Sequence, residues 1–105
     1  MHLKILYDND AKEGFKSGWG FSCLVGKNLL FDTGADLTTL LFNMRKFNVD
    51  LDEINKVVFS HEHGDHTGGF QILGMLGEVE VYLPKSFSRS FKRRVTSYLN
   101  VRLRE

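Results

Sequence analysis

Of its 105 residues, this chain has one cysteine, one proline and four histidines. Cys23 has no partner within the chain, so no internal disulfide framework is available. Its apolar neighbours point to a reduced, cytoplasmic setting. With Pro84 as the only proline, there is no proline-rich linker, and no repeat or low-complexity tract breaks the chain. No apolar run approaches the roughly eighteen residues of a membrane-spanning helix, so no membrane association is expected. The start, MHLKILYDND, lacks a long apolar stretch and a small-residue cleavage site, so no signal peptide is expected. Another scarcity concerns chemistry directly: beyond His66 there is no histidine, aspartate or cysteine. Acidic residues dominate residues 1–80 and basic ones residues 81–105, with block charges of −5 and +6 that give the net +1. A basic block of this kind is usually a solvated helix face, and nucleic acid is not an expected partner.

What remains is ordinary for one globular domain spanning residues 1–105: hydrophobic content is 42% and charged content 26%. HLKILYD reads as a first strand, followed by a long glycine-bearing loop. WGFSCLV and LLFD read as a hairpin turning at GKN. Leu37, Leu40, Leu41, Met44 and Phe47 fall at helical spacing, with Thr33 or Asp36 available as the cap. KVVFS reads as a strand buried on both faces, EVEVYLP as another strand. From Ser86 onward, Phe87, Phe91, Val95, Tyr98 and Leu99 predict a helix with Arg89, Lys92, Arg93 and Arg102 on its other faces. This order is an α/β pattern.

The chemistry concentrates in HEHGDH. In an extended segment His61 and His63 point the same way, because side chains alternate with period two. A turn at Gly64, with its unrestricted φ, would let Asp65 and His66 aim at the same region. Imidazole and carboxylate suit Zn²⁺, with Mn²⁺, Fe²⁺ or Mg²⁺ as alternatives. A pair of such ions about 3.5–4 Å apart can lower the pKa of a bridging water and deliver hydroxide to an electrophile. Glu62 points away from its histidine neighbours, to solvent or a salt bridge. Gly68 and Gly69 would let the chain pass close beneath the loop, Trp19 and Phe21 would pack, and Lys12, Lys16 and the basic helix would be solvated.

Asp32 has a competing reading. LLFDTGAD, with Ile72, Leu73 and Gly74 further on, resembles the way retroviral-type aspartic proteases present a catalytic aspartate. That reading needs an all-β dimer and leaves three histidines without a role.

HEHGDH followed by TGGF resembles the His-x-His-x-Asp-His signature of the metallo-β-lactamase fold superfamily. LLFDTGAD resembles the Asp-Thr-Gly loop beneath that family's metal site. From about residue 17 to residue 70 the chain is similar to the branch that includes dihydropterin–ribofuranosylaminobenzene phosphate synthase. The resemblance implies an α/β fold, half of a four-layer αββα sandwich, with a mixed sheet and helices on one face. It also implies His61, His63, Asp65 and His66 as metal ligands, Asp65 as the catalytic residue, and Asp32 as a supporting residue behind them. The implied activity is a metal-dependent hydrolase, with metal-bound hydroxide attacking an ester or phosphoester, or a related pterin-pathway synthase.

The chain also departs from that family, whose members are about twice as long and draw further ligands from a second half. Four ligands suit one shared ion better than two. An uncovered sheet face predicts a homo-oligomer or a companion chain. Two classes follow: a hydrolase half that acts on a small-molecule substrate once a partner completes its site, or a catalytically silent, truncated binding module.

Overall fold

The apolar alternation at the start becomes strand β1, Leu3–Tyr7. After the long loop come β2, Ser22–Val25, and β3, Leu29–Phe31, joined by the expected turn at residues 26–28. The computed structural model describes residues 2–105. Helix α1, Leu37–Lys46, starts where Asp36 accepts a 2.8 Å hydrogen bond from the Thr39 N–H; Thr33 takes no part in this cap. A short 3-10 turn, Leu51–Glu53, leads into β4, Lys56–Val58. Helix α2, Gly64–Thr67, and a 3-10 stretch, Phe70–Met75, connect β4 to β5, Val79–Tyr82. Helix α3, Arg89–Thr96, and β6, Val101–Arg104, complete the order.

The sheet is mixed and runs β1-β2-β3-β4-β5-β6. β1 to β3 are antiparallel neighbours, and β3 to β6 run parallel through crossovers. Its register explains why the helices share one face. Leu24, Leu30, Val57, Val81 and Leu103 lie side by side across five strands. They join Leu40 and Met44 of α1, Ile72 and Leu73, and Phe91 and Val95 of α3 in a single core. Burying each large apolar side chain contributes about 1.5–3 kcal/mol, so this row decides which way the sheet faces. The alternate row, Cys23, Phe31, Val58, Tyr82 and Arg104, carries no helix. At that row's β1 end, Leu3 is 63% and Ile5 45% exposed. β4 is therefore covered on one side only: Val57 is fully buried and Val58 is half-buried. No helix among the described residues is long and apolar enough to cross a membrane.

The C-terminal segment departs from the single helix expected there. Ser88 caps α3 by accepting from the Phe91 N–H, and the helix ends after eight residues. The Asn100 side chain then donates to the carbonyls of Leu73, Leu76 and Gly77, which draws the chain back alongside β5. VRLR alternates with period two and becomes a strand, with Arg104 pairing with Glu80 at 3.1 Å. Arg102 thus lies on β6, Leu99 is 99% exposed, and only Phe91 and Val95 keep the helical face. The apolar spacing of Tyr98 and Leu99 imitates a continuing helix, but the side-chain bonds of Asn100 oppose it.

Candidate metal centre

β3 and β4 are parallel, and both run out at the same sheet end, the usual place for ligands in α/β folds. Past β4, Phe59 is fully buried and stacks edge-to-face on Phe91 at 5.2 Å, which anchors the point where the chain leaves the sheet. The histidine loop follows at once. The His61 and His63 rings lie 4.7 Å apart and the His61 and His66 rings 4.1 Å apart, centroid to centroid. One ligand atom from each of His61, His63 and Asp65 falls within 4.8 Å of the others, and the same holds for Asp32, His61 and His66. His66 Nε2 also lies 3.7 Å from Asp65 Oδ2. All four expected ligands therefore converge. Gly64 does this without a special backbone angle: it is simply the first residue of α2, with open space around it, and the helical turn itself swings Asp65 and His66 inward.

Asp32 sits behind this cluster, completely buried. Its backbone takes a left-handed φ of 57°, held by its N–H to the Val58 carbonyl at 2.8 Å and its carbonyl to the Ser22 hydroxyl at 2.7 Å. Such strain costs on the order of 1–3 kcal/mol for a non-glycine residue, and Asp is among the residues that tolerate it best. The carboxylate accepts from the Ser60 N–H at 2.8 Å, the Ser60 hydroxyl at 2.6 Å and His66 Nδ1 at 2.8 Å. Three donors already end on this carboxylate, two on Oδ2 and one on Oδ1, and one of its oxygens also lies within 4.8 Å of ring nitrogens of His61 and His66. The fold is a mixed sheet with helices packed on it, which contradicts the all-β chain that an aspartic-protease arrangement needs.

The underside of the loop is pinned by backbone contacts. The Thr33 N–H and hydroxyl both donate to the His66 carbonyl, at 2.7 and 3.1 Å, and the Phe21 N–H donates to the Asp65 carbonyl at 3.2 Å. A Cβ on Gly68 would lie 1.9 Å from the Ala35 carbonyl oxygen, and one on Gly69 would lie 2.4 Å from that of Thr33. Only glycine permits this approach.

Glu62 is exposed, as expected, but its carboxylate is tied down rather than free. Its carboxylate accepts from the N–H and hydroxyl of Ser88, at the start of α3, and so ties the His-x-His segment to that helix. The Ser88 hydroxyl, then the Ser88 N–H, hold its pKa below the usual glutamate value. A depressed folded pKa gives stability that is full above the unfolded value of about 4.3 and lost as pH falls through the folded one. The stability gap between the parent and Glu62→Gln should therefore close on acidification below about pH 4.3, as read by thermal melts. A gap that stays constant down to low pH would contradict the tie.

Other expectations divide. Phe21 packs on Phe31 at 6.4 Å, but Trp19, expected to pack, is 74% exposed beside the loop. Lys12 and Lys16 line a separate cavity of about 210 Å³ with Tyr7 and Phe47, and Lys16 sits over the Phe42 ring at 4.5 Å. Lys92 donates to the Lys85 carbonyl and to Glu105. Nothing in residue spacing singles out Ser60 or Ser88; their position next to a ligand and at a helix cap is the only sequence signal either carries.

The family model of the anti-Pycsar protein Apyc1 matches residues 10–87. The chain belongs to that family. This Apyc1-family chain is 37% identical over 60 residues to the 7,8-dihydropterin-6-methyl-4-(β-D-ribofuranosyl)-aminobenzene-5′-phosphate synthase of Methanocaldococcus jannaschii, covering 57% of the chain and 20% of the synthase. It is 40% identical over 72 residues to an uncharacterized protein of the same archaeon, covering 66% of the chain and 28% of that protein. In solved structures it resembles Tm1679, a metal-dependent hydrolase of the β-lactamase superfamily. The TM-score is 0.75 at 33% identity, over 97% of this chain and 40% of that one. A metallo-β-lactamase-like protein of Thermotoga maritima shares the fold, with a TM-score of 0.58 at 20% identity over 98% of this chain and 58% of its own. The expected superfamily and fold class are both found. The Apyc1-family chain spans less than a third of the curated relatives it matches.

Proposed function

We propose that this Apyc1-family chain supplies the histidine-rich half of a metal-dependent hydrolase site. The observation that carries this reading is the convergence of His61, His63, Asp65 and His66 in front of a buried Asp32. The donor set fits a metal of the zinc class: imidazole nitrogens and one carboxylate, with a second carboxylate bonded to a ligand histidine as in carboxylate–histidine–metal triads. Zn²⁺ is the first choice, with Mn²⁺, Fe²⁺ or Mg²⁺ as alternatives. When bound, such an ion provides Lewis acidity and a water of lowered pKa. The chain's own residues do the rest. His61, His63 and His66 hold the position, and Asp65 orients the nucleophile and accepts its proton. Asp32 keeps His66 aligned through Nδ1. The substrate class is a small ester or phosphoester, with a pterin-pathway synthase reaction as the related option.

With Asp65 turned to the nucleophile, three histidines leave an open position on a four-coordinate ion for groups from elsewhere, and the half-apolar sheet face of Phe31, Val58 and Tyr82 is free to take a cover. We assign both roles to a second copy or a companion chain. The isolated, metal-loaded chain should turn over bis(p-nitrophenyl) phosphate near background. Turnover should appear once a partner completes the site, and Asp65→Asn should then remove it. Brisk turnover by a strict monomer in light scattering would overturn the partner. Turnover indifferent to Asp65→Asn would overturn the assignment of Asp65.

A further inference from the structure

Ser60 stands between the buried Asp32 and the first histidine of the loop. Its Oγ lies 2.6 Å from Asp32 Oδ2 and 2.8 Å from His61 Nδ1, while its N–H donates to Asp32 Oδ1 at 2.8 Å. Proton counting decides the direction of each bond. A serine hydroxyl has one proton to give, and a carboxylate only accepts. The 2.6 Å contact to Asp32 therefore takes the hydroxyl proton. The contact to His61 must then use a ring proton, so Nδ1–H donates to Ser60 Oγ. A neutral imidazole has one N–H, which leaves His61 Nε2 as a bare lone pair.

The same logic applies directly to His66. Its Nδ1 lies 2.8 Å from Asp32 Oδ2, so it carries the proton there, and in the neutral ring Nε2 is the bare nitrogen, 3.7 Å from Asp65 Oδ2. The geometry points to Ser60 as a positioning residue that relays the Asp32 carboxylate to His61, so that one buried acid fixes which nitrogen two histidines present. Without the hydroxyl, His61 Nδ1 has no partner among those it has now, and the ring is free to exchange tautomers or rotate. For metal binding this rests on the proposed function; the protonation pattern itself does not.

The test reads the two separately. Long-range ¹H–¹⁵N correlation spectra of metal-free protein at about pH 8, above the ordinary histidine pKa of about 6.5, report which nitrogen is protonated. We expect His61 and His66 with protonated Nδ1 in the parent and in Ser60→Thr, which keeps the hydroxyl. In Ser60→Ala, His61 alone should become a tautomer mixture. Zinc titration should show a loss of about 10–100-fold in affinity for Ser60→Ala, restored by Ser60→Thr. A protonated Nε2 on His61 in the parent overturns the relay, as does Ser60→Ala with an unchanged His61 tautomer and unchanged zinc affinity. If the parent binds no zinc yet shows protonated His61 Nδ1 that Ser60→Ala abolishes, the relay stands and the metal-site reading falls.

Discussion

Replacing Asp32 by alanine should be among the most destabilising single changes in this chain. The substitution strands the Ser60 N–H, the Ser60 hydroxyl and His66 Nδ1–H, all of which now end on one fully buried carboxylate. An orphaned buried donor costs about 1–3 kcal/mol. These donors are part-buried and the Ser60 hydroxyl can turn to His61 Nδ1, so a loss of about 2–4 kcal/mol is expected, a large share of the roughly 5–15 kcal/mol by which a domain is stable. Alanine at a left-handed φ of 57° adds strain that aspartate tolerates better. Asp32→Asn should fall between parent and alanine, because the amide keeps one acceptor oxygen but turns a second donor toward a donor. Urea unfolding followed by circular dichroism gives the order directly. An alanine variant as stable as the parent would show that Asp32 does not organise this loop.

A comparably large loss is expected from one added methyl group. Gly64 and Gly68 bracket the four-residue α2. A Cβ on Gly68 meets two backbone carbonyls, at 1.9 Å from the Ala35 oxygen, 2.4 Å from the Ala35 carbonyl carbon and 2.7 Å from the Gly64 oxygen. None of these is the end of a flexible side chain, so the Asp-Thr-Gly loop and the histidine loop must move apart. Overpacking usually costs about 1–3 kcal/mol even where side chains can yield, and more is expected here. Gly64→Ala meets nothing within 4 Å and lies in a helical position. It should be neutral or gain about 0.4–1 kcal/mol from the unfolded chain's lost freedom. Equal effects of the two substitutions would refute this account of how the loops are held together.

These two positions also show where a linear reading succeeds and where it stops. The histidine spacing announced that these side chains would converge, because a period-two pair followed by Asp-His one turn later aims them at one region. The strand order follows from apolar alternation, as in KVVF and VEVY. Asp32 was legible only through resemblance: nothing in LLFDTG tells that its carboxylate will meet residues 28 and 34 positions later. Gly64 and Gly68 look alike on paper, and the difference between them is the nearness of Ala35, a tertiary fact. β6 was hidden because Tyr98 and Leu99 continue the apolar spacing of α3, while the groups that end the helix belong to the connection before β5. Glu62 faced away from the histidines as period two requires, yet its partner Ser88 could be identified only once α3 had a position.

The central issue is whether His61 and His63 hold a metal ion at all. Purified chain can be equilibrated with Zn²⁺, freed of excess by gel filtration and measured by inductively coupled plasma mass spectrometry, alongside the His61→Ala/His63→Ala double variant. The parent should retain zinc at a sub-stoichiometric level, as expected for a site with coordination positions still open. The double variant, shown to be folded by circular dichroism, should retain none. Equal zinc content in the two proteins would contradict the metal centre and, with it, the hydrolase reading built on it.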